Sequence, residues 1–375
     1  MKEGFSRFIG ANPRRLHAAA HSHHPWPDVT YEAHVRAWED AARLMDDKWD
    51  HVFGTVMPSA RRRIADVLNL SDPDTLVFAP NTHEFIQRIA STLPARFRVL
   101  TTGSEFHSFS RQLARWEEAR IAEGTRIPAE PFATFPARFA KAYAGHDLVF
   151  VSHVHYNSGY VVPDLEHLVG SLTGDSVVVV DGYHGFMAVP TDLGPVADRA
   201  FYMAGGYKYA MAGEGACFLH VPPDAPARPV DTGWWAAFES LAGEAPGVTY
   251  SPGGQRFAGA TTDPSGIYRL EAVLGWLERQ GLTVERIHSH VAALQQRLLD
   301  QLDPGFVAQL IPDRSEAERG HFLTFRHTAA RQLYDRLHGR GVITDHRGGR
   351  WRVGLGIYHD DADVDRLAEE VNACI

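Results

Sequence analysis

The chain alternates short runs that are almost wholly apolar with longer stretches in which apolar residues recur every three or four positions. Apolar runs without polar alternation are typical of parallel strands that are covered on both faces. Spacing such as that of Phe109, Leu113 and Trp116 predicts an amphipathic helix. The runs predicted to be strands are residues 74–79, 98–102, 147–152, 177–180, 201–204 and 217–221. Their alternation with helices predicts an α/β domain with a mainly parallel sheet.

A second pattern begins after the glycine- and proline-rich stretch at residues 250–254. Apolar stripes that begin at Ile267 and at Ile287 predict two long helices whose apolar faces pack in a core. Strand-like segments and a final helix from Asp361 then predict a smaller α+β domain. The chain is thus expected to have three parts, an N-terminal arm, a large domain and a small C-terminal domain, at residues 1–45, 46–255 and 256–375.

The composition narrows the classes of protein to which this chain can belong. With 375 residues, 44% apolar and 22% charged, it is expected to fold into large globular domains rather than to stay disordered. The formal charge of −9 and the lack of clustered cations argue against nucleic acid as a partner. No run approaches the roughly 18 apolar residues of a membrane span, and no secretory signal is expected at the first residues. Cys217 and Cys374 are the only cysteines, which argues against a disulfide framework and favours the cytoplasm.

Lys208 lies between two tyrosines on a glycine-rich bend after the run 201–204, and Asp181 ends the run before it. An amine can hold the aldehyde of pyridoxal phosphate as a Schiff base, and a carboxylate can keep the pyridine nitrogen protonated so that the ring accepts electrons. Taken singly, a lysine is most often a solvated charge, and an aspartate after a strand is often a turn residue. The pair therefore favours a pyridoxal-phosphate site without excluding these simpler explanations.

Polar residues also follow the other predicted strands, and ligands of an open parallel sheet bind at the carboxyl ends of its strands. Asn81 and Thr82 precede a predicted helix whose amino end favours a phosphate, although the same pair can serve only as a helix cap. His107 could stack on a pyridine ring or fill polar space. His184, three residues after Asp181, could belong to a metal pair or to a turn. Such residues after four successive strands favour one shared ligand site.

These motifs, in this order, resemble those of the fold-type I pyridoxal-phosphate enzymes of the class V aminotransferase family, and within it the kynureninase-like proteins. The resemblance runs from about residue 74 to the last predicted strand. It implies the aspartate aminotransferase-like fold, an amino acid substrate, Lys208 as the catalytic Schiff-base lysine and Asp181 as the partner of the pyridine nitrogen. The other cofactor contacts that it implies are the phosphate-binding Thr82, His83 and His184 and the ring-stacking His107.

Further segments resemble kynureninase in particular. Residues 152–159 are similar to its H-V-x-Y-x-T-G segment, which implies Tyr156 as a cofactor contact where other members of the family usually carry asparagine. Tyr207 matches the tyrosine of its Y-K-Y run, which contributes to phosphate binding. Trp234 lies in a segment similar to S-G-W-F, which approaches the cofactor and substrate. The segment around Arg352 resembles the stretch whose arginine binds the substrate α-carboxylate, a task that suits the planar guanidinium fork.

Two segments depart from the kynureninase pattern. Residues 259–265 replace its S-N-P-P segment and are closer to the G-T of the wider family, whose threonine reaches the phosphate of the partner subunit; this implies Thr261. Residues 20–25 keep only Ser22 and the proline of the loop that borders the substrate. The three histidines of this loop have no spaced partners that would complete a tetrahedral site, so no metal is expected.

The resemblance leaves more than one reaction open. We expect Lys208 to remove the α-proton of the amino acid, after which water attack on a γ-carbonyl breaks the Cβ–Cγ bond and releases alanine, as in kynureninase. The alternative is a class V aminotransferase that passes the amino group to an α-keto acid. A cysteine desulfurase is disfavoured because residues 344–350 contain no thiol. A catalytically silent regulatory subunit of the same fold also stays open, and the resemblance implies a homodimer with shared active sites.

Overall fold

The computed structural model describes residues 1–225, 228–240, 247–313 and 318–375. The strands in these ranges are β1 (Leu16–His17), β2 (Leu76–Ala79), β3 (Phe97–Thr102), β4 (Ala122–Ile127), β5 (Leu148–Ser152), β6 (Val177–Asp181), β7 (Ala200–Gly205), β8 (Cys217–His220), β9 (Phe322–Arg326), β10 (Val342–Ile343), β11 (Asp345–Arg347) and β12 (Arg350–Gly354). The α-helices in these ranges are α1 (Ser6–Ala11), α2 (Val29–Leu44), α3 (Lys48–His51), α4 (Met57–Leu68), α5 (Thr82–Ala90), α6 (His107–Glu118), α7 (Phe135–Ala142), α8 (Leu165–Ser171), α9 (Ser265–Arg279), α10 (Val284–Gln301), α11 (Pro304–Val307), α12 (Ala330–Gly339) and α13 (Asp361–Asn372).

A seven-stranded sheet in the order β2-β8-β7-β6-β5-β3-β4 forms the centre of the large domain. The pairings from β7 through β4 are parallel, whereas β8 runs antiparallel to both of its neighbours. β2 therefore points in the same direction as β7, and the strands other than β8 end at one edge of the sheet. This confirms the mainly parallel sheet that the apolar runs predict.

The central strands are covered on both faces, as their apolar runs require. Every residue of β5 and β6 is buried. The buried residues of α6 are the predicted stripe of Phe109, Leu113 and Trp116. The Phe109 ring stacks on Phe150 of β5 with the ring centroids 3.6 Å apart. Close packing of this kind fixes the helix, and with it the loop that precedes the helix, against the sheet.

A second apolar cluster forms the core of the small domain. It lies between the antiparallel sheet β11-β12-β9 and helices α10, α12 and α13. Trp351 is fully buried there, with its ring centroid 5.5 Å from that of Phe325. The apolar residues of α9 join the core of the large domain instead. The domain limits expected at residues 45 and 255 stay predictions.

The N-terminal arm is attached to the small domain and then crosses to the lysine turn. β1 pairs in parallel with β10, which places Leu16 beside Val342. The Ala20 N–H donates a hydrogen bond to the Gly354 carbonyl at 3.2 Å. The arm segment that follows Ala20 is thereby held between the two domains. Within the described ranges, no helix combines the length and the apolar character that crossing a bilayer requires.

Candidate active site

Lys208 lies in the turn that follows β7. Gly205 is needed at this position because a Cβ atom there would lie 2.7 Å from Cys217 Sγ and 2.9 Å from the Tyr183 hydroxyl. The lysine Nζ donates a hydrogen bond to the carbonyl of His21 in the arm, at 2.8 Å. The arm therefore closes over the amine, and Lys208 is half-buried between the sheet edge and the arm.

The electrostatic surroundings of Lys208 favour the neutral amine. Burial lowers its pKa to about 7, and the nearby guanidinium of Arg352 acts in the same direction. The carboxylate of Asp181 opposes this shift because it stabilises the ammonium form. A substantial fraction of the lysine is thus unprotonated at neutral pH. That is the form that attacks an aldehyde.

Asp181 ends β6, directly beside Ser152 of β5 and Met203 of β7. Its Oδ1 accepts a hydrogen bond from the Tyr183 N–H at 3.0 Å. Burial raises the pKa of Asp181 to about 6, while the Tyr183 N–H and the charge of Lys208 limit the rise. The structure thus brings Asp181 and Lys208 together at one sheet edge, where each changes the pKa of the other.

His184 lies on the turn that follows β6. The turn needs a glycine at Gly182, where a Cβ atom would lie 2.0 Å from the Tyr202 ring. The imidazole of His184 is buried, with its centroid 5.4 Å from that of Phe322, and its Nδ1 has no hydrogen-bond partner. Burial, reinforced by Lys208, holds the pKa of His184 well below its ordinary value. The ring is therefore neutral and keeps one unsatisfied nitrogen.

The amino end of α5 lies at the same edge of the sheet. β2 leads into this helix and pairs with β8, which in turn pairs with the strand that precedes Lys208. Asn81 caps the helix, and its Oδ1 accepts the Glu84 N–H at 3.1 Å. Thr82 and His83 occupy the first helical positions, where the helix dipole and the unpaired N–H groups favour an anion. This placement suits the expected phosphate site.

Three aromatic side chains lie together beyond β3 and β5. His107 begins α6, and its exposed ring has its centroid 5.4 Å from that of Tyr156, at an interplanar angle of 63°. The Phe106 ring lies 5.7 Å from the same tyrosine, edge to face. Because His107 is exposed and anchored by a helix, its ring is available to stack on a flat ligand.

Arg352 approaches Tyr156 from the small domain. Arg352 is 3% exposed, and its guanidinium donates hydrogen bonds to the Tyr156 carbonyl and to the Asp345 carboxylate. Asp345 lies directly opposite Arg352 in the hairpin of β11 and β12. The arginine Nε has no partner, so it remains a buried donor. Arg352 thereby joins the hairpin to the loop after β5.

Ser22 belongs to the N-terminal arm, and Tyr207 contacts the arm. Ser22 is half-buried and lines a cavity of about 530 Å³ together with His23 and Asp345. The Tyr207 hydroxyl lies 2.6 Å from His23 Nε2. The hydroxyl for which phosphate binding is expected is thus bonded to the arm here, and its role toward phosphate stays a prediction.

Trp234 and Thr261 form a separate pair. The indole Nε1 donates a hydrogen bond to the Thr261 hydroxyl at 3.1 Å, and both side chains are exposed. Among the described residues, no hydrogen bond or ion pair joins this pair to Lys208 or Asp181. The role expected of Thr261 involves a partner subunit, that of Trp234 does not, and both stay predictions.

The sequence model of the aminotransferase class-V family matches residues 38–367. The chain belongs to this family. It is 25% identical to an isopenicillin N epimerase of Streptomyces clavuligerus over 354 residues, which cover 84% of this chain and 83% of the epimerase. It is 28% identical to a kynureninase of Deinococcus radiodurans over 238 residues, which cover 61% of this chain and only 57% of the kynureninase. The expected family is confirmed.

Solved structures show the fold of this class-V family protein. The cystine C–S lyase C-DES, in complex with its product cysteine persulfide, superimposes with a TM-score of 0.85 at 17% identity, over 97% of this chain and 99% of the lyase. An apo cysteine desulfurase from Thermococcus onnurineus NA1 gives a TM-score of 0.78 at 18% identity, over 99% of this chain and 97% of the desulfurase. A C-DES mutant that carries glycine covalently linked to its PLP cofactor gives 0.86 at 17% identity and covers both chains fully. Fold type I is confirmed.

The cofactor of this class-V family enzyme is pyridoxal phosphate, and the residues around Lys208 fit it. A lysine with a lowered pKa lies beside a buried carboxyl group, as the covalent link and the pyridine nitrogen require. His184 Nδ1, Arg352 Nε and the Tyr209 hydroxyl are buried polar atoms without hydrogen-bond partners. Leaving such atoms unpaired is costly, so a polar ligand is expected to meet them. The role of each residue stays a prediction.

Asp345 and His21 belong to the site, although the sequence did not identify them. Asp345 pairs with Arg352, and His21 lies 3.4 Å from Asp345 and also accepts the Lys208 hydrogen bond through its carbonyl. The residues 348–349 are a Gly-Gly turn, which favours a hairpin that places position 345 opposite position 352. That signal could have identified Asp345, whereas the signal for His21 was its place in residues 20–25, the segment compared with the loop that borders the substrate.

Neither cysteine is available as a nucleophile. Cys217 is buried in β8, where burial raises the pKa of its thiol to about 12. Cys374 is buried in the core of the small domain. In the part of the chain that the structure describes, no three His, Cys, Asp or Glu side chains are grouped so that they could hold a metal ion.

Proposed function

We propose that this protein hydrolyses the Cβ–Cγ bond of a γ-oxo α-amino acid of the kynurenine type and releases alanine. The observation that carries the proposal is the position of Tyr156, the residue that the kynureninase resemblance singles out. Its carbonyl accepts a hydrogen bond from Arg352, and its ring adjoins His107. Tyr156 therefore lies between the expected carboxylate-binding arginine and the expected ring-stacking histidine, where a substrate side chain would extend.

Each chemical task of this proposal has a residue suited to it. Pyridoxal phosphate, when bound, supplies a ring that accepts the electron pair released at the substrate α-carbon. Asp181 holds the proton of the pyridine nitrogen, and its buried position strengthens that interaction. Lys208 takes the α-proton, since its lowered pKa leaves a neutral amine near pH 7. Arg352 binds the α-carboxylate.

The remaining residues are proposed to bind the cofactor or to border the substrate. Phosphate binding is assigned to the amino end of α5 and to its neighbours, namely Thr82, His83, His184 and Tyr207, with Thr261 contributed by a partner subunit. His107 stacks on the ring. Ser22 and Trp234 border the substrate. Each of these assignments combines the family pattern with the placement of the residue in the fold.

Desulfuration is the least favoured reaction of the family. It needs a mobile thiolate that reaches the substrate sulfur. Cys217 is held as a buried thiol beside Tyr183, with its Sγ 3.4 Å from the tyrosine hydroxyl. Cys374 packs among apolar side chains near the C-terminus. The proposal is therefore a reaction in which water, rather than a cysteine, takes part.

Incubation with kynurenine, with and without an α-keto acid, tests the proposal. We expect anthranilate and alanine in equal amounts without keto acid, with Arg352→Lys raising KM because a point charge cannot replace the bidentate fork. Amino transfer that requires the keto acid would instead establish the aminotransferase. The absence of both products would refute both reactions. Borohydride reduction tests the shared first step, since it should label Lys208 with the pyridoxyl group in either enzyme, and a labelled protein that forms neither set of products would be the silent subunit.

We further propose that the protein acts as a cytoplasmic homodimer. Tyr31, Val35 and Trp38 lie on one face of α2 and are exposed by 53%, 38% and 72%. An apolar stripe of this kind on a stable fold favours a protein partner. A second copy is the occupant that the family pattern implies, because it would bring Thr261 to the neighbouring site. Sedimentation of a fully active monomer at micromolar concentration would refute the dimer.

A further inference from the structure

Glu105 is a buried acid for which the proposed reaction has no task. It lies in the loop between β3 and α6 and is 2% exposed. Its Oε1 accepts hydrogen bonds from the Thr102 hydroxyl at 2.6 Å and from the Ser152 N–H at 3.3 Å. Its Oε2 is bonded to the Ser152 hydroxyl. Since Thr102 ends β3 and Ser152 ends β5, the carboxyl group ties the ends of two neighbouring strands together.

This carboxyl group has no cationic partner among the described residues. The charged group nearest in the sheet is another acid, because Asp181 lies directly opposite Ser152 in the pairing of β5 and β6. The other titratable groups around the loop are His107 at the start of α6 and His153 after Ser152. Burial lowers the pKa of His153 to about 4, so that ring is neutral. Glu105 thus has hydroxyls, an amide and a second carboxyl group around it.

An ionised Glu105 would be unfavourable in this position for two reasons. A buried carboxylate without a cation loses its hydration without a compensating charge. It would also place a second negative charge beside Asp181, and neighbouring carboxylates oppose the ionisation of each other. A protonated Glu105 avoids both effects and keeps its hydrogen bonds, because the hydroxyls of Thr102 and Ser152 can accept as well as donate.

We propose that Glu105 is a neutral carboxylic acid that positions the ends of β3 and β5 and leaves Asp181 as the ionised member of this pair of acids. The direction of its titration agrees, since burial raises the pKa of Glu105 to about 8, with Asp181 contributing and the hydroxyl donors opposing. Glu105 is a positioning residue in this proposal. The inference goes beyond the proposed reaction, because it holds for any chemistry at Lys208.

A matched pair of substitutions separates the two acids. Glu105→Gln and Asp181→Asn each replace a carboxyl group by an amide of the same size. Because glutamine imitates a protonated glutamate, Glu105→Gln should change the Kd for pyridoxal phosphate, followed by visible absorbance, less than about threefold. Asp181→Asn should weaken binding by about 10- to 100-fold, the loss expected for one charge-assisted hydrogen bond. Equal losses in the two variants would overturn the proposal.

The apo protein supplies a readout that is independent of the cofactor. A carboxyl group whose pKa is raised by folding contributes less stability as the pH rises from its unfolded value toward its folded value. The Tm of Glu105→Gln relative to the wild type should therefore rise by a few degrees as the pH increases from about 5 to about 8. A Tm difference that does not change with pH, or that shifts in favour of the wild type as the pH rises, would show that Glu105 is ionised.

Two further measurements keep the proposal testable if Glu105→Gln does not fold. The infrared C=O band of a protonated acid should persist at pH 7 in Asp181→Asn, in which Asp181 cannot contribute to it. Loss of that band would overturn the proposal. Glu105→Ala, which removes the tie between the strands, should lower the Tm at pH 5, and the loss should be smaller at pH 8, where the wild-type acid contributes less stability. A rise in the Tm of Glu105→Ala at pH 5 would contradict the positioning role.

Discussion

The two walls of the candidate active site are built in different ways. The sheet wall carries Asp181 and Lys208 at the ends of adjacent parallel strands. The arm wall brings together His21, Asp345 and Arg352, which come from the two ends of the chain. On the sheet wall, burial changes the pKa of each group more than any neighbouring charge does. On the arm wall, burial also prevails at His21, whose pKa it lowers to about 3, and at Arg352, but the partners of Asp345 overcome burial and hold the pKa of that carboxyl well below its usual range.

This difference indicates a division of labour between chemistry and binding. The sheet wall keeps an acid and an amine poorly solvated, and their pKa values of about 6 and about 7 favour proton transfer near neutral pH. The arm wall neutralises the buried guanidinium of Arg352 through Asp345 before any substrate is present. At 3.4 Å, His21 Nε2 is too far from Asp345 for a well-formed hydrogen bond, so Arg352 is the stronger partner. The sheet wall therefore suits catalysis, whereas a substrate carboxylate at the arm wall has to take over guanidinium hydrogen bonds that Asp345 and the Tyr156 carbonyl hold here.

The largest expected effect comes from breaking the sheet wall at Lys208. Lys208→Ala removes both the proposed covalent anchor and the proposed base for the α-proton, so kcat should fall by at least about 10²–10⁴-fold. The visible band of the bound cofactor should also be lost, as measured by absorbance after dialysis. Lys141→Ala serves as a control because Lys141 is an exposed residue of α7. A cofactor band in Lys208→Ala that survives and is reducible onto the protein would show that another lysine holds the cofactor.

The sheet wall could be predicted from the sequence because topology alone assembles it. Once apolar runs predict parallel strands, their carboxyl ends must meet at one edge, so residues such as Asp181 and Lys208 come together without any knowledge of tertiary contacts. The sequence did not predict the edge strand β4, because the prediction of strands depends on apolar runs. Only Ala122 of its residues is buried, so it lacks the apolar run on which the prediction depends.

The arm wall could not be predicted in the same way because pairings between distant parts of the chain create it. β1 meets β10 across more than 300 residues, as the pairing of Leu16 with Val342 shows. The family pattern indicated Arg352, but it did not indicate that Asp345 would occupy the guanidinium. His21 reaches Lys208 through its backbone carbonyl, a contact that any residue type could make. Sequence patterns report side chains, and so they do not reveal such a contact.

The second prediction breaks the arm wall at its ion pair. Asp345→Asn removes the charge partner of a buried guanidinium, which should lower the free energy of unfolding by about 3 kcal/mol, at the lower end for buried pairs because Asp345 is partly exposed. The loss should shrink as the pH falls below about 4, because a carboxylate with a lowered pKa loses its stabilising effect on protonation. Denaturant unfolding at several pH values measures both effects.

The exposed pair of Arg331 and Asp335 provides a control for this experiment. Both residues lie on the surface of α12, so Asp335→Asn should cost only about 0.5 kcal/mol. If Asp345→Asn costs no more than Asp335→Asn, then Asp345 is not the buried counter-charge of Arg352, and the contrast between the two walls fails.

The third prediction tests whether the arm wall acts on the sheet wall. Burial is the main cause of the lowered pKa of Lys208, and Arg352 is the second. The rate at which the apo protein reacts with pyridoxal phosphate should therefore reach half its maximum near pH 7. In Arg352→Gln that midpoint should move upward by less than about one unit, since only the smaller cause is removed. A midpoint that moves downward would refute the coupling between the walls.

The smallest expected effect concerns Thr261, which lies on neither wall of this chain. Trp234→Phe removes the indole donor to the Thr261 hydroxyl at an exposed site, so the free energy of unfolding should change by about 0.5 kcal/mol and cofactor affinity should stay the same. Thr261→Val keeps the shape but removes the hydroxyl. If a partner subunit offers Thr261 to the phosphate, this variant should weaken cofactor binding by about 5- to 15-fold, the contribution of one net hydrogen bond. Cofactor affinities are measured by equilibrium titration. If Thr261→Val binds the cofactor as tightly as Trp234→Phe does, then the two walls bind the cofactor without a contribution from Thr261.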